Sequence, residues 1–340
     1  MRSIIACMVK FGTAHARSPG PLRVVRAVLQ LLTIVCLLAS APAFAVANDK
    51  PVELQFPQLS LGTIYVGFPG HVDVLPDSAE MIKLNSGSWP ARGKVKLPAG
   101  HRYFIPSYYL LEHPQLLKTV DADAFGCISL NKMGIMQSLD LVIEPLSHMT
   151  GVRRLELQMA DISDEKLKPM KALIHLEALD LRICGIHGSC IKEFLPLTNL
   201  KFLDLSDNRL EPETFAYLGK MRSLRTLNLV RTGVTDDGVG EIVKLPQLQK
   251  LYLANARISM RSLKAIAKLK TLRVLELTDT KFTASELLCL APLKLDHLLL
   301  PRKFSPAEER FLRHAMPTTS FVSALPNLSK DANKLFAPLK

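Results

Sequence analysis

The sequence LRTLNLVRTGVTDDGVGEIVKLPQ, residues 224–247, is one unit of a pattern that recurs every 24 residues. Six successive units begin at Val152, Leu176, Leu200, Leu224, Leu248 and Leu272. With the first residue of a unit counted as offset 0, offsets 0, 3, 5, 10, 15, 18 and 21 are apolar in every unit. Such self-similarity indicates a solenoid, in which stacked units bury a continuous core.

The spacing within a unit predicts one strand followed by one helix. Apolar residues at offsets 3 and 5 alternate as in a strand with one buried face, whereas offsets 15, 18 and 21 follow a helix stripe. Hydroxyl residues at offset 11 predict where four of the helices start, because they cap free backbone N–H groups. These residues are Ser163, Thr235, Ser259 and Thr283, and Thr283 is followed by Glu286 as in a capping box.

These units resemble leucine-rich repeats of the LxxLxLxxTxVTDxGL variety that is common in bacterial proteins. The resemblance implies an α/β solenoid with a parallel concave β-sheet and convex helices. Offset 8, where the family often has Asn, departs from the pattern. Only Asn208 conforms, and the other units have Ala160, Cys184, Thr232, Ala256 and Thr280. A threonine can bond turn backbone and an alanine cannot, so we expect an irregular asparagine ladder.

Residues 1–45 are expected to be a secretory signal peptide. Five basic residues and no acidic one accompany an apolar run too short to span a bilayer comfortably, and Ala43-Phe-Ala45 is a small-x-small cleavage site. An uncleaved membrane anchor and a mitochondrial transit peptide are the alternatives. The expected localisation is therefore secreted or periplasmic, in the cell envelope. The later residues contain no transmembrane segment, and removal of the leader lowers the formal net charge of +12.

The rest of the chain divides into four parts. Residues 46–124 are expected to form a small β-rich N-terminal domain or cap, with strands near 52–56, 61–66, 94–97 and 103–105 and a helix within 108–120. Residues 125–304 hold about eight repeats, the first of 27 residues. Residues 305–322 form a C-terminal cap, and 323–340 a flexible basic tail. Atypical end units are typical of solenoids.

The sequence carries no pattern for a catalytic or cofactor site. None of the nine histidines has metal-ligand spacing, and no nucleophile elbow or dinucleotide fingerprint is present. Gly87 to Lys94 resembles a phosphate-binding loop only superficially, since its spacing is wrong and Val95 replaces the Ser or Thr. Cys184 with Cys190 is the only cysteine pair that the repeat geometry allows, and unpaired thiols are favoured. We predict no enzyme, cofactor, metal or nucleic-acid partner, and a monomer.

The candidate binding surface is the concave face, to which offsets 2, 4 and 6 point. The predicted site residues are Arg154, Glu156, Asp180, Arg182, Phe202, Asp204, Asn228, Tyr252 and Glu276. One interpretation is a polar, solvated sheet face. Another is an acidic patch with Phe202 and Tyr252 as aromatic anchors for a locally basic partner. A third is a retaining glycosidase, since carboxylates about 5 Å apart suit that reaction.

We therefore expect an exported module that binds a protein or a cell-surface polymer. The alternative is a structural or envelope protein that its basic surface holds to anionic cell-surface polymers. A glycan-cleaving enzyme is the remote alternative.

Overall fold

The computed structural model describes residues 51–67, 85–131 and 139–322, which belong to a single unit of the chain, Ala47–Lys340. The predictions of a signal peptide at 1–45 and a flexible tail at 323–340 lie outside the described residues.

The repeats form one long parallel sheet. Each unit contributes a three-residue strand at offsets 2 to 4, and each strand pairs in register with its neighbours, as Thr226 does with Phe202 and Lys250. The repeat strands are β6 (Cys127–Ser129), β7 (Arg154–Glu156), β8 (Ala178–Asp180), β9 (Phe202–Asp204), β10 (Thr226–Asn228), β11 (Lys250–Tyr252), β12 (Val274–Glu276) and β13 (His297–Leu299). The predicted α/β solenoid is confirmed.

Helices follow the repeat strands. The α-helices are α1 (Tyr108–Glu112), α2 (Asp140–Leu146), α3 (Pro212–Leu218), α4 (Asp236–Ile242), α5 (Met260–Ile266), α6 (Ala284–Leu287) and α7 (Pro306–Ala315). Two units have a 3₁₀-helix instead, Asp164–Ala172 and Ser189–Phe194, and shorter 3₁₀ turns span Pro114–Thr119 and Leu288–Leu290. Pro169 lies inside the first of these and lacks the N–H that an α-helix needs there.

The core consists of the repeated apolar positions. Of the 42 side chains at the seven offsets, all except the half-buried Ile258 are buried. The periodicity of the sequence therefore identifies the interior correctly. The units differ from one another in the residues between these apolar positions.

The turn after each strand has a left-handed residue that the sequence pattern does not reveal. Offset 7 has a positive φ in all six units, between 54° and 61°, although none of these residues is glycine. They are Met159, Ile183, Asp207, Arg231, Asn255 and Asp279. Asn and Asp tolerate this region, whereas a β-branched residue such as Ile183 is strained in it.

Polar side chains at offset 8 make hydrogen bonds to backbone groups of the turn. The Asn208 amide accepts hydrogen bonds from the backbone N–H groups of Cys184 and Ile186, at 3.0 and 3.3 Å, and donates to three carbonyls. Thr232 and Thr280 donate to carbonyls of their own units. The predicted irregular ladder is confirmed, with Cys184 contributing a thiol bond to the Leu157 carbonyl.

Helix capping agrees with the sequence in part. Thr283 and Glu286 form the predicted capping box, and the Ser259 side chain accepts from the Arg261 N–H. Ser163 and Thr235 occupy the N-cap positions but make no capping bond, so that prediction is wrong for these two side chains. The next residue in both units is an aspartate that bonds the neighbouring repeat instead.

Aspartates at offset 12 join one unit to the next. The Asp164 carboxylate accepts the backbone N–H groups of His187, Gly188 and Cys190 at 2.7 to 3.0 Å. Asp236 accepts from the backbone and the hydroxyl of Ser259 in the same way. Burial raises the pKa of Asp164, but the three N–H groups outweigh it and the net pKa is lowered. These carboxylates therefore remain ionised at neutral pH.

The N-terminal strands continue the repeat sheet. β2 (Gly62–Gly67) lies between β3 (Asn85–Pro90) and β5 (His101–Pro106) and pairs antiparallel with both, and β5 pairs in parallel with β6. β1 (Val52–Gln55) and β4 (Lys94–Leu97) form a separate pair. The sequence did not predict β3, because its Gly, Ser and Pro residues favour turns. Among the described strands, twelve make one sheet.

The C-terminal end of the described chain has one helix and one strand after the last repeat strand. α7 begins with Pro306 at its first turn and a capping box between Ser305 and Glu308, and it ends before Pro317. β14 (Ser320–Val322) then adds to the sheet beside β13.

Concave face as candidate functional site

The registers of the strands line up the predicted site residues in two columns. Offset 4 aligns Glu156, Asp180, Asp204, Asn228, Tyr252 and Glu276. Offset 2 forms a second column, which contains Arg154, Ala178 and Phe202. Towards the N-terminus this column continues with Cys127 of β6 and Tyr103 of β5. Arg182 stands at offset 6. The structure therefore brings all nine predicted residues to one face of the sheet.

The concave face is much less solvated than expected. Seven of the nine residues are buried, with exposed fractions of 1 to 8%, and only Arg182 and Asn228 are half-buried. The interpretation of a polar, solvated face is wrong for these seven residues. Parallel strands bring equivalent side chains to about 5 Å from one another, so large side chains in neighbouring columns shield each other from water.

Three hydrogen bonds fix the first carboxylate of the column. Glu156 Oε1 accepts from Arg154 Nε at 2.8 Å. Its other oxygen accepts from the Tyr103 hydroxyl at 3.1 Å and from Asn131 Nδ2 at 3.0 Å. Burial raises the pKa of Tyr103, so its hydroxyl keeps the proton that it donates. The N-terminal cap thus supplies one residue directly to the predicted site.

Arg182 lies within ion-pair distance of the next two carboxylates. Its Nη2 lies 2.7 Å from Asp180 Oδ2, and its Nε lies 3.7 Å from Asp204 Oδ2. Asp204 also accepts from the Ser206 hydroxyl at 2.6 Å and from Asn228 Nδ2 at 2.8 Å. Burial and the nearby Asp180 raise the pKa of Asp204 to about 6, against the lowering effects of Arg182 and Ser206. The acidic column is therefore an internally bonded network.

The C-terminal part of the face combines an apolar cluster with the buried Lys250 and Glu276. Tyr252, Val274 and Leu299 form a buried cluster separate from the main core, and the half-buried Val230 and Val322 pack against it. Glu276 lies in the same column, and burial raises its pKa to about 7 in spite of a hydrogen bond from Thr278 and the nearby Arg231. This cluster contains the predicted aromatic residue Tyr252, whereas Phe202 lies within the polar half.

Sequence reasoning missed Tyr103, Asn131 and Ser206 as parts of the network. Ser206 could have been found, because it occupies offset 6, which faces the same side as Asp204. Asn131 could have been found by the same rule, because it is at offset 6 of the first repeat, counted from Phe125. Tyr103 lies outside the repeats, and only the pairing of β5 with β6 brings it to Glu156.

The remaining chemistry of the described residues gives no other candidate. Cys127, Cys184, Cys190 and Cys289 are free, so Cys184 and Cys190 do not pair. Burial raises the pKa of Cys184 to about 12, which suppresses thiolate chemistry. No group of three or more His, Cys, Asp or Glu residues in these ranges could hold a metal ion. No helix in the described ranges is long and apolar enough to cross a membrane.

Comparisons with known proteins agree with this geometry. Residues 199–221 and 220–243 match two leucine-rich repeat family models. The two adjacent units that these matches cover are therefore leucine-rich repeats, and the other regular units share their spacing. Proteins of this type are usually binding scaffolds without enzymatic activity.

Solved structures of bacterial proteins are similar to the chain. A leucine-rich repeat protein of Leptospira interrogans is 22% identical with a TM-score of 0.40, over 61% of this chain and 62% of that one. Two internalins of Listeria monocytogenes are 17% and 23% identical, with TM-scores of 0.38 and 0.36. Those matches cover 53% and 48% of this chain, and 58% and 71% of the internalins. The matched part of this chain thus spans less than two thirds of the Leptospira protein and of the first internalin. No curated protein matches the sequence.

Proposed function

We propose that this chain is an exported protein-interaction module that holds a segment of another protein against its concave face. One observation carries the proposal: the side chains of Arg182, Asn228 and Val230 are half-buried, so a partner can reach them, and each is held in place. Arg182 and Asn228 are hydrogen-bonded to buried aspartates, and Val230 packs against the apolar cluster. A surface whose side chains are already fixed loses little conformational entropy when a partner binds.

The charges of the face suggest the chemistry of the partner. Four acidic residues of the face, Glu156, Asp180, Asp204 and Glu276, outnumber its three basic residues at offsets 2 and 6, which are Arg154, Arg182 and Lys250. The half-buried Val230 offers an apolar contact next to Asn228. We therefore infer a partner segment that combines basic and apolar side chains, which agrees with the sequence-based expectation.

Site-specific photo-crosslinking in cells that make the protein tests this proposal. A photoreactive phenylalanine analogue replaces Val230 in one variant and Val243, half-buried on the convex side, in a matched control. We expect a discrete crosslinked product from position 230 only. The second substitution Thr278→Arg, which places a bulky cation on the face, should abolish that product. Identical products from both positions, or none from position 230, would contradict the proposal.

Export rests on the sequence of residues 1–45. We expect the extracellular or periplasmic form to begin at Val46, which N-terminal sequencing of the purified protein checks. Recovery of the uncut chain in the membrane fraction would instead support an anchor, and recovery in mitochondria would support a transit peptide.

The glycosidase alternative is not supported by a specific observation. Arg182 lies within ion-pair distance of both Asp180 and Asp204, so neither carboxylate is available as an unpartnered nucleophile. We propose a binding role and no catalytic role for these residues.

A further inference from the structure

A strongly basic strip runs along one edge of the last four regular units, away from the concave face. Six exposed residues form it: Lys220, Arg222, Lys244, Lys268, Lys270 and Lys294. They occupy offsets 20 and 22, in the turn that leads from the helix back to the next strand. We call these six residues the basic edge. Because the units stack in register, their side chains fall in rows along the solenoid.

The basic edge is almost free of compensating charge. Residues 219–226, 243–250 and 267–274 contain no Asp or Glu, and residues 291–298 contain one, the exposed Asp296. Lys244 pairs with Glu241, and Lys220 lies over the Tyr217 ring, 5.2 Å from its centroid. Among the described residues, no ion pair involves the other four. The corresponding turn of the unit that begins at Val152 is different, since it has Lys171, Ile174 and His175 and is followed by the buried Glu177.

The backbone beneath these side chains is rigid. Two of the turns are closed in the same way, by hydrogen bonds of 3.0 Å from Arg222 N–H to Lys220 O and from Lys270 N–H to Lys268 O. At the start of each strand, Arg225 donates to Lys201 O and Arg273 donates to Gln249 O, at 2.8 and 2.7 Å. The basic side chains are thus mounted at fixed spacings, of about 5 Å per unit at the sheet edge.

We propose that the basic edge binds a linear anionic polysaccharide that lies along the solenoid axis. A row of like charges on an ordered edge matches a polymer whose carboxylates recur along an extended chain, and release of the polymer's counterions favours the association. The edge offers no exposed aromatic ring on which a nucleic-acid base could stack. Between residues 219 and 295 no large apolar side chain is exposed for insertion into a membrane. This surface is separate from the proposed protein-binding face.

Binding of fluorescently labelled polygalacturonate to the full chain tests the proposal, with uncharged dextran as the negative probe. We expect binding to polygalacturonate only, weakening about tenfold or more between about 50 and 200 mM salt. The variant Arg222→Glu, Lys268→Glu, Lys270→Glu should lose at least about tenfold in affinity at low salt. All three residues are exposed, and thermal melting confirms that the variant is folded.

The matched control carries Lys166→Glu, Lys192→Glu and Arg310→Glu, which make the same change of charge at exposed positions elsewhere. It should keep its affinity to within about twofold. An equal loss in both variants would show that only net charge matters and would overturn the proposal, as would no binding by the wild-type chain. Tighter binding to a single-stranded oligonucleotide, or to vesicles rich in phosphatidylglycerol, would assign the edge to those partners and overturn it too.

Discussion

The two halves of the concave face use opposite chemistry on the same scaffold. In the N-terminal half, Glu156, Asp180 and Asp204 occupy the offset 4 column and are held by arginines and hydrogen bonds. In the C-terminal half, Tyr252 and Leu299 occupy the same column on either side of Glu276 and pack against Val274, and this half has no arginine at offset 2 or 6. The buried positions beneath are equally apolar in both halves, because every unit must stack on its neighbours. Stacking therefore leaves the concave positions free to diverge.

The difference also appears in the turns. The left-handed residues of the first two regular units are Met159 and Ile183, whereas those of the later units are polar or charged. The N-terminal half thus combines buried ion pairs with a strained turn, and the C-terminal half combines apolar packing with residues better suited to that conformation. Each contrast can be tested by substitution.

The largest effect is expected for Arg182→Met, which leaves two buried carboxylates without their cation. Removal of one partner from a buried ion pair costs about 3–5 kcal/mol, because the other charge stays out of water. Urea unfolding at pH 7 measures the loss. The matched control is Lys118→Met, which breaks the exposed pair with Glu144 and should cost about 0–1 kcal/mol. Equal losses in the two variants would remove the distinction between the network and an ordinary surface pair.

An intermediate effect that depends on pH is expected for Glu276→Gln in the apolar half. The pKa of Glu276 is raised from 4.5 to about 7, so its folded form holds the proton longer than its unfolded form. The wild-type chain should therefore lose stability as pH rises from about 4.5 to 7. The glutamine removes that loss, and it should stabilise the chain by roughly 1–3 kcal/mol above pH 7 and not at all below pH 4.5.

Melting temperatures at pH 4 and pH 8 check this prediction. Glu213→Gln, on the exposed surface of α3, is the matched control and should change neither value. A stabilisation by Glu276→Gln that is the same at both pH values would show that packing, and not ionisation, is responsible.

The smallest effect is expected for Ile183→Gly. Glycine adopts a φ of 55° without strain, and the half-exposed isoleucine side chain loses little burial, so we expect a gain of about 1 kcal/mol. Asn255→Gly is the control, since asparagine already tolerates this conformation and should gain less. Chemical denaturation of both variants gives the comparison. A loss of stability in Ile183→Gly would mean that the turn is not strained.

The sequence predicted the parts of this fold that depend on burial. The apolar offsets, the strand at each LxxLxL, the capping box at Thr283 and the helix that begins after Ser305 all follow from local patterns, and the structure confirms them. It predicted the columns of the concave face as well, because strand pairing in a regular array is in register.

The rest depends on contacts between residues that the repeat does not relate. Tyr103 reaches Glu156 from 53 residues away, so no local pattern could assign it to the network. β3 lacks the β-branched residues that signal a strand, and Pro169 favours a 3₁₀-helix in a unit whose apolar spacing looks regular. Burial of the concave residues was missed because alternation shows which way a side chain points and not how closely its neighbours cover it.

The bonds made by aspartates at offset 12 all run in one direction, from one unit to the unit that follows it. Asp140, Asp164 and Asp236 each complete the turn of the unit that follows, so that turn acquires its bonds only when the preceding unit is already ordered. The other four regular units lack this carboxylate, since their residues at offset 12 are Gly188, Pro212, Met260 and Ala284. Cooperativity between nearest neighbours should therefore be weaker after those units than at the junctions that an aspartate joins, and partial unfolding of the solenoid should begin at one of the weaker junctions.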